Sequence, residues 1–195
     1  MPSFVTIVSG LPRSGTSLMM QMLEAGGIPA LVDGIREPDQ NNPRGYYEFE
    51  PVKRTRYDAQ WLERARGKAV KVIYALLRDL PPGYDYRVVL MHREPEEVLS
   101  SQSLMLRGMG TTGSMMPPDR LAAAFAADLS SVLEELGRRA EFRILNVEHR
   151  ECLCNPAAVA AQLSAFLGVD LDAGRMAAVP DETLYRRRAY QPNRS

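Results

Sequence analysis

From Ser9 to Leu18 the chain reads S-G-L-P-R-S-G-T-S-L, with an apolar run from Phe4 to Val8 before it and a helical pattern after it. A glycine-bounded loop between a strand and a helix is suited to holding an anion. The amides that open a helix have no intrahelical acceptor, the helix dipole favours negative charge, and glycine lets the backbone come close to a phosphate. The amides of Ser14, Gly15, Thr16 and Ser17 are the expected donors. Gly10, Gly15 and Ser17 have the spacing of the nucleoside-triphosphatase loop G-x-x-x-x-G-K-[ST], in which the lysine reaches the β/γ-phosphates and the hydroxyl holds magnesium. Here Thr16 stands in the lysine's place, and the cation within the loop is Arg13. The pattern keeps phosphate binding and disfavours metal-assisted triphosphate chemistry.

A second constellation lies in M-H-R-E-P-E-E-V-L-S-S, where a strand is expected to end at His92 and a helix to start at Pro95. Arg93 and Ser101 could then grip one phosphate from two sides, the arginine supplying a bidentate fork. Lys71 sits in the apolar run Val70-Lys71-Val72-Ile73, so it must reach the strand's end or find a buried partner.

These residues need elements to position them. Short β-branched runs alternate with helical patterns, as in a parallel sheet covered on both faces. Strands are expected near Phe4–Ser9, Ala69–Ile73, Tyr86–Met91 and Phe142–Val147, with a weaker one near Ala30–Val32. Helices are expected over Ser14–Ala25, Pro51–Ala65, Pro95–Arg107, Asp119–Arg138 and Pro156–Leu167, several with proline at the start, where its missing amide does no harm. The result is a three-layer α/β domain, with ligands beyond the carboxyl ends of the strands. The stretches Asp33–Glu50 and Gly108–Pro118 resist regular structure and are candidates for binding loops.

Composition sets the outer bounds. With 195 residues and 45% hydrophobic content the chain is expected to form one domain over residues 1–195. Lys+Arg and Asp+Glu both number 24, so no overall field gathers a nucleic acid. Cys152 and Cys154, both expected in a loop, imply no disulfide framework and point to a reducing compartment. The apolar run before the first loop is too short for a leader or a membrane span, so a cytoplasmic protein without membrane contact is expected. Oligomeric state is not legible.

Pro12-Arg13-Ser14-Gly15-Thr16-Ser17 resembles the 5′-phosphosulfate loop of the sulfotransferases, Pro-[Lys/Arg]-Ser-Gly-Thr-[Thr/Ser], in wording closest to the bacterial and tyrosylprotein branches. Arg93 with Ser101 resembles that family's 3′-phosphate motif. Ile144 to Val169 is similar to its late strand and C-terminal helix, although His149, Arg150 and Glu151 depart from the usual wording and carry no role over. Arg186, Arg187 and Arg188 resemble the basic residues of its last loop. The resemblance implies a P-loop-containing sulfotransferase fold. It also implies 3′-phosphoadenosine 5′-phosphosulfate (PAPS) as donor, adenosine 3′,5′-bisphosphate (PAP) as product, no metal, and a hydroxyl acceptor on a small molecule, glycan or peptide. Arg13 would then stabilise charge on the leaving 5′-phosphate oxygen. Lys71 is similar to a family lysine facing the sulfuryl group, although the proline of V-K-x-P is absent.

Transfer to a hydroxyl needs a general base. His92 abuts Arg93 and His149 falls late in the chain, which leaves the carboxylates of the loop after the first helix. The tyrosylprotein branch favours Glu37 by position. The wording Asn42-Pro43-Arg44-Gly45-Tyr46-Tyr47-Glu48, similar to bacterial relatives, favours Glu48. The alternatives on the same fold are a small-molecule kinase using ATP and magnesium, and a nucleotide-binding module without turnover.

Overall fold

The computed structural model describes residues 3–35, 45–93 and 118–180. The expected helix Pro95–Arg107, most of the stretch Gly108–Pro118, and the site candidates Glu37, Ser101, Arg186 and Arg187 lie outside the described residues.

Four strands form one parallel sheet in the order β2-β1-β3-β4: β1 Val5–Gly10, β2 Ala69–Lys71, β3 Tyr86–His92 and β4 Phe142–Glu148. Alternate side chains of a strand point to opposite faces, and both faces are apolar here. Val5 and Ile7 of β1, with Val88 and Leu90 of β3, join one cluster with Leu62 and with Val132 and Leu136. Val8, Val89 and Met91 join a second cluster with Met19, Met22, Leu163 and Leu167. The first face is covered by α2 (Trp61–Ala65), α3 (Pro118–Gly137) and 3-10 turns at Glu50–Arg54 and Tyr74–Asp79. The second is covered by α1 (Thr16–Ala25), α4 (His149–Cys154), α5 (Pro156–Leu167) and α6 (Ala173–Ala177). The three-layer α/β expectation is met. Among the described residues no helix is long and apolar enough to cross a membrane.

Several local expectations need correction. Pro51–Ala65 is not one helix but a 3-10 turn and the short α2. Polar side chains between them take the backbone's bonds: Asp58 Oδ1 accepts from the Gln60 amide at 3.0 Å, and the Thr55 hydroxyl donates to the Val52 carbonyl while accepting from Trp61 Nε1 at 3.1 Å. The Trp61 ring stands edge-on to Phe49, centroids 6.1 Å apart. The weak strand at Ala30–Val32 is a single parallel bridge from Ala30 to Ala69. The strand expected to reach Ile73 ends at Lys71: the Val72 amide still donates to the Val8 carbonyl of β1 at 3.0 Å, but the Val72 carbonyl accepts from the side-chain hydroxyl of Ser9 at 2.7 Å. The two cysteines lie on a helix rather than a loop; both are free, and burial pushes the Cys152 thiol up to about 12.

Arg87 joins the layers. Its guanidinium lies 3.8 Å from the centroid of the Phe4 ring, and its Nη1 donates to the carbonyls of Leu167 and, at 3.4 Å, Phe166. A cation at a helix's carboxyl end complements both the unsatisfied carbonyls and the dipole. Its side chain is only 14% exposed. Arg87→Met should therefore cost about 1.5–3 kcal/mol, read as a lower urea midpoint with an unchanged slope.

Candidate functional site

In a parallel sheet the carboxyl ends of all strands share one edge. The pairings Gly10↔Met91 and Val8↔Lys71 bring the ends of β1, β2 and β3 together there. At this edge is a cavity of about 360 Å³, lined by residues of the glycine loop together with Tyr46, Glu48, Lys71, Ile73 and Arg93.

The loop is built by close approach. A Cβ on Gly10 would lie 2.4 Å from Ser14 Oγ and 2.6 Å from the Met91 carbonyl oxygen. A Cβ on Gly15 would lie 2.3 Å from Cδ2 of His149, and Gly15 has φ +96° as the residue that opens α1. Neither position has room for a side chain, so the backbone itself forms the cavity wall. No side chain caps α1, and the amides that open a helix, which have no intrahelical acceptor, are suited to an anion. The Ser14 amide, expected among the donors, instead bonds the Leu11 carbonyl at 3.1 Å and closes the turn within the loop. The Ser14 hydroxyl is buried and finds no hydrogen-bond partner among the described residues.

Among the described residues, three cations line this cavity from separate elements. Arg13 comes from the loop and has φ 71°, a left-handed value rare outside glycine. Its carbonyl accepts from Nη1 of Arg93 at 3.1 Å, so the residue just past β3 is tied to the loop. Lys71, the last residue of β2, is half-buried, and its Nζ donates to the Tyr46 carbonyl. This lysine does both things its apolar setting demands: it reaches the strand's end and finds a partner. Ser17 Oγ donates to the same carbonyl at 3.4 Å. Glu48 also lines the cavity.

Of the residues singled out from sequence, Pro12, Arg13, Gly15, Thr16, Ser17, Lys71, Arg93 and Glu48 line this cavity, and Ser14 is buried beneath it. Sequence reasoning missed Tyr46, whose carbonyl receives two site residues. It also missed His149, whose ring backs Gly15. The available signal was positional: His149 follows β4 at the same sheet edge, where Glu148 pairs with His92. Among the described residues no group of three or more His, Cys, Asp or Glu could hold a metal.

No family model and no curated protein matches the sequence. Solved structures do match in fold. The sulfotransferase domain of the Synechococcus olefin synthase aligns with TM-score 0.55 at 17% identity, over 96% of this chain and 84% of that one. The sulfotransferase domain from the curacin biosynthetic pathway aligns with TM-score 0.56 at 16% identity, over 93% and 78%. A mouse sulfotransferase complexed with PAP aligns with TM-score 0.58 at 18% identity, over 98% and 68%. The chain has the sulfotransferase fold, a P-loop α/β architecture.

Gly15→Ala should lower the urea midpoint of unfolding with an unchanged slope, from the clash with His149 and the roughly 1–2 kcal/mol cost of a left-handed alanine. Adding His149→Ala should recover only the part due to the clash.

Proposed function

We propose that this chain is a sulfotransferase that moves a sulfuryl group from PAPS to an acceptor hydroxyl. The observation that carries this reading is the convergence of Arg13, Lys71, Arg93 and Glu48 with the glycine loop on one cavity. The fold neighbours support it: the mouse sulfotransferase was solved with PAP, and retinol dehydratase was solved with androsterone and PAP.

In this reading the amides at the start of α1 and the hydroxyls of Thr16 and Ser17 hold the donor's 5′-phosphate. The acceptor oxygen forms a bond to sulfur as the bond from sulfur to the 5′-phosphate oxygen breaks, and that oxygen keeps the electron pair. Arg13 and Lys71 stabilise the charge developing there, which is where fixed donors gain most. Glu48 takes the acceptor's proton, with Glu37 as the alternative base. Arg93, with Ser101 and the arginines Arg186 and Arg187, binds the 3′-phosphate. Arg93 also spends one donor on the Arg13 carbonyl, so it would link the two phosphate sites mechanically.

A second reading has one observation in its favour. Thr16 removes the lysine of a kinase loop, but Lys71 enters the same cavity from the adjacent strand and could meet a triphosphate. Thermal melts separate the two. PAP at a hundred times its dissociation constant should stabilise the fold by about 2.7 kcal/mol without magnesium, and more than ATP with magnesium does. A larger shift with ATP that a chelator abolishes would favour the kinase.

For the base, Glu48→Gln should leave PAP affinity nearly unchanged and cut turnover by about 10²–10⁴ on an alcohol of high pKa. A large loss in Glu37→Gln instead would exchange the two roles.

A further inference from the structure

We propose that Asp33 is a positioning residue that fixes the backbone at Glu48 and just after it; the proposal rests on the reading of Glu48 as base. Asp33 follows the bridge that joins Ala30 to β2, and it makes three bonds within a short stretch. Its amide donates to the Glu48 carbonyl at 3.3 Å. Its Oδ2 accepts from the Glu50 amide at 2.5 Å, and its Oδ1 accepts from the Ile35 amide at 3.1 Å. One aspartate thus clips the chain leaving α1 to the chain that returns with Glu48, holding both ends of the intervening segment.

The other attachments of this stretch come from different elements. Tyr46 receives Lys71 of β2 and Ser17 of α1 on its carbonyl. Tyr47 has φ 53°, an uncommon left-handed value for an aromatic residue, and its hydroxyl donates to Glu24 Oε2 on α1 at 2.8 Å. The left-handed turn at Tyr47 comes just before Glu48, which lines the cavity. With α1 and β2 holding the residues before Glu48, the bond to the Glu50 amide is what fixes the backbone after it. Asp33 itself is not the base in this arrangement, since both its oxygens are engaged by backbone amides and it does not line the cavity. An aspartate can accept from two amides with separate oxygens; an asparagine offers one acceptor oxygen.

The experiment is a double-mutant cycle on the full chain. Asp33→Ala should lower kcat on a high-pKa alcohol about 10²-fold, the scale of a misplaced catalytic group, with PAP affinity within about twofold of the parent. Asp33→Asn should fall between the two, and it serves as the working variant if Asp33→Ala does not fold. If Asp33 acts through Glu48, Asp33→Ala combined with Glu48→Gln should be no slower than Glu48→Gln alone; losses that multiply would overturn the proposal. If Glu48→Gln has no effect, or no transfer is seen with any acceptor, it is the functional reading that fails. Amide exchange then decides the clip by itself. Exchange at Ile35 and Glu50 should quicken about tenfold in Asp33→Ala while the Gly10–Ser17 loop is unchanged; unchanged exchange at those two amides would overturn it.

Discussion

A strand that is hydrogen-bonded along both edges and buried on both faces can present chemistry only at its ends, and β1 is that strand here. Parallel pairing to β2 and β3 fixes which neighbours end beside it: Val8 is level with Lys71 and Gly10 with Met91. The glycine loop, the lysine and the arginine of the cavity therefore take their places from one ladder register. A slip of one residue would turn every side chain of the shifted strand to the other face and take Lys71 or Arg93 away from the loop. The site is as rigid as the ladder that sets it.

The cations are held in a way suited to anion binding. Lys71 and Arg93 each donate to a backbone carbonyl, Tyr46 and Arg13 respectively. A carbonyl carries no net charge of its own, so those two bonds orient the cations through neutral groups. Backbone carbonyls can serve here because two residues adopt left-handed conformations, Arg13 in the loop and Tyr47 beside Tyr46. Such conformations persist only where the surroundings fix them, and the bonds onto Arg13 and from the Tyr47 hydroxyl are part of that fixing.

Much of this was legible in the sequence, for local reasons. The four main strands stand out because β-branched and apolar runs end at turn residues. The limits of α5 are plain because Pro156 opens it and Gly168, at φ 63°, closes it. The glycine loop is legible because its chemistry depends on residue types at fixed spacing. The rest depends on contacts distant in sequence. The place of His149 after β4 puts it at the right sheet edge without showing that its ring backs Gly15, and nothing near Tyr46 shows that its carbonyl receives Lys71 and Ser17. The region after Glu50 misleads because its pattern is helical while Thr55 and Asp58 redirect the backbone's hydrogen bonds. Glu37, Ser101, Arg186 and Arg187 fall outside the described residues, so their part in the site rests on sequence alone.

The edge-on packing of Trp61 against Phe49 has a practical consequence. Trp61 is the chain's single tryptophan and is 4% exposed, so the protein's tryptophan emission comes from one position. That indole touches the residue directly after Glu48 and hydrogen-bonds Thr55. Its emission, excited selectively over tyrosine, is thus a built-in optical probe of the segment bearing Glu48, readable without a label, while the glycine loop at the other side of the cavity contributes none.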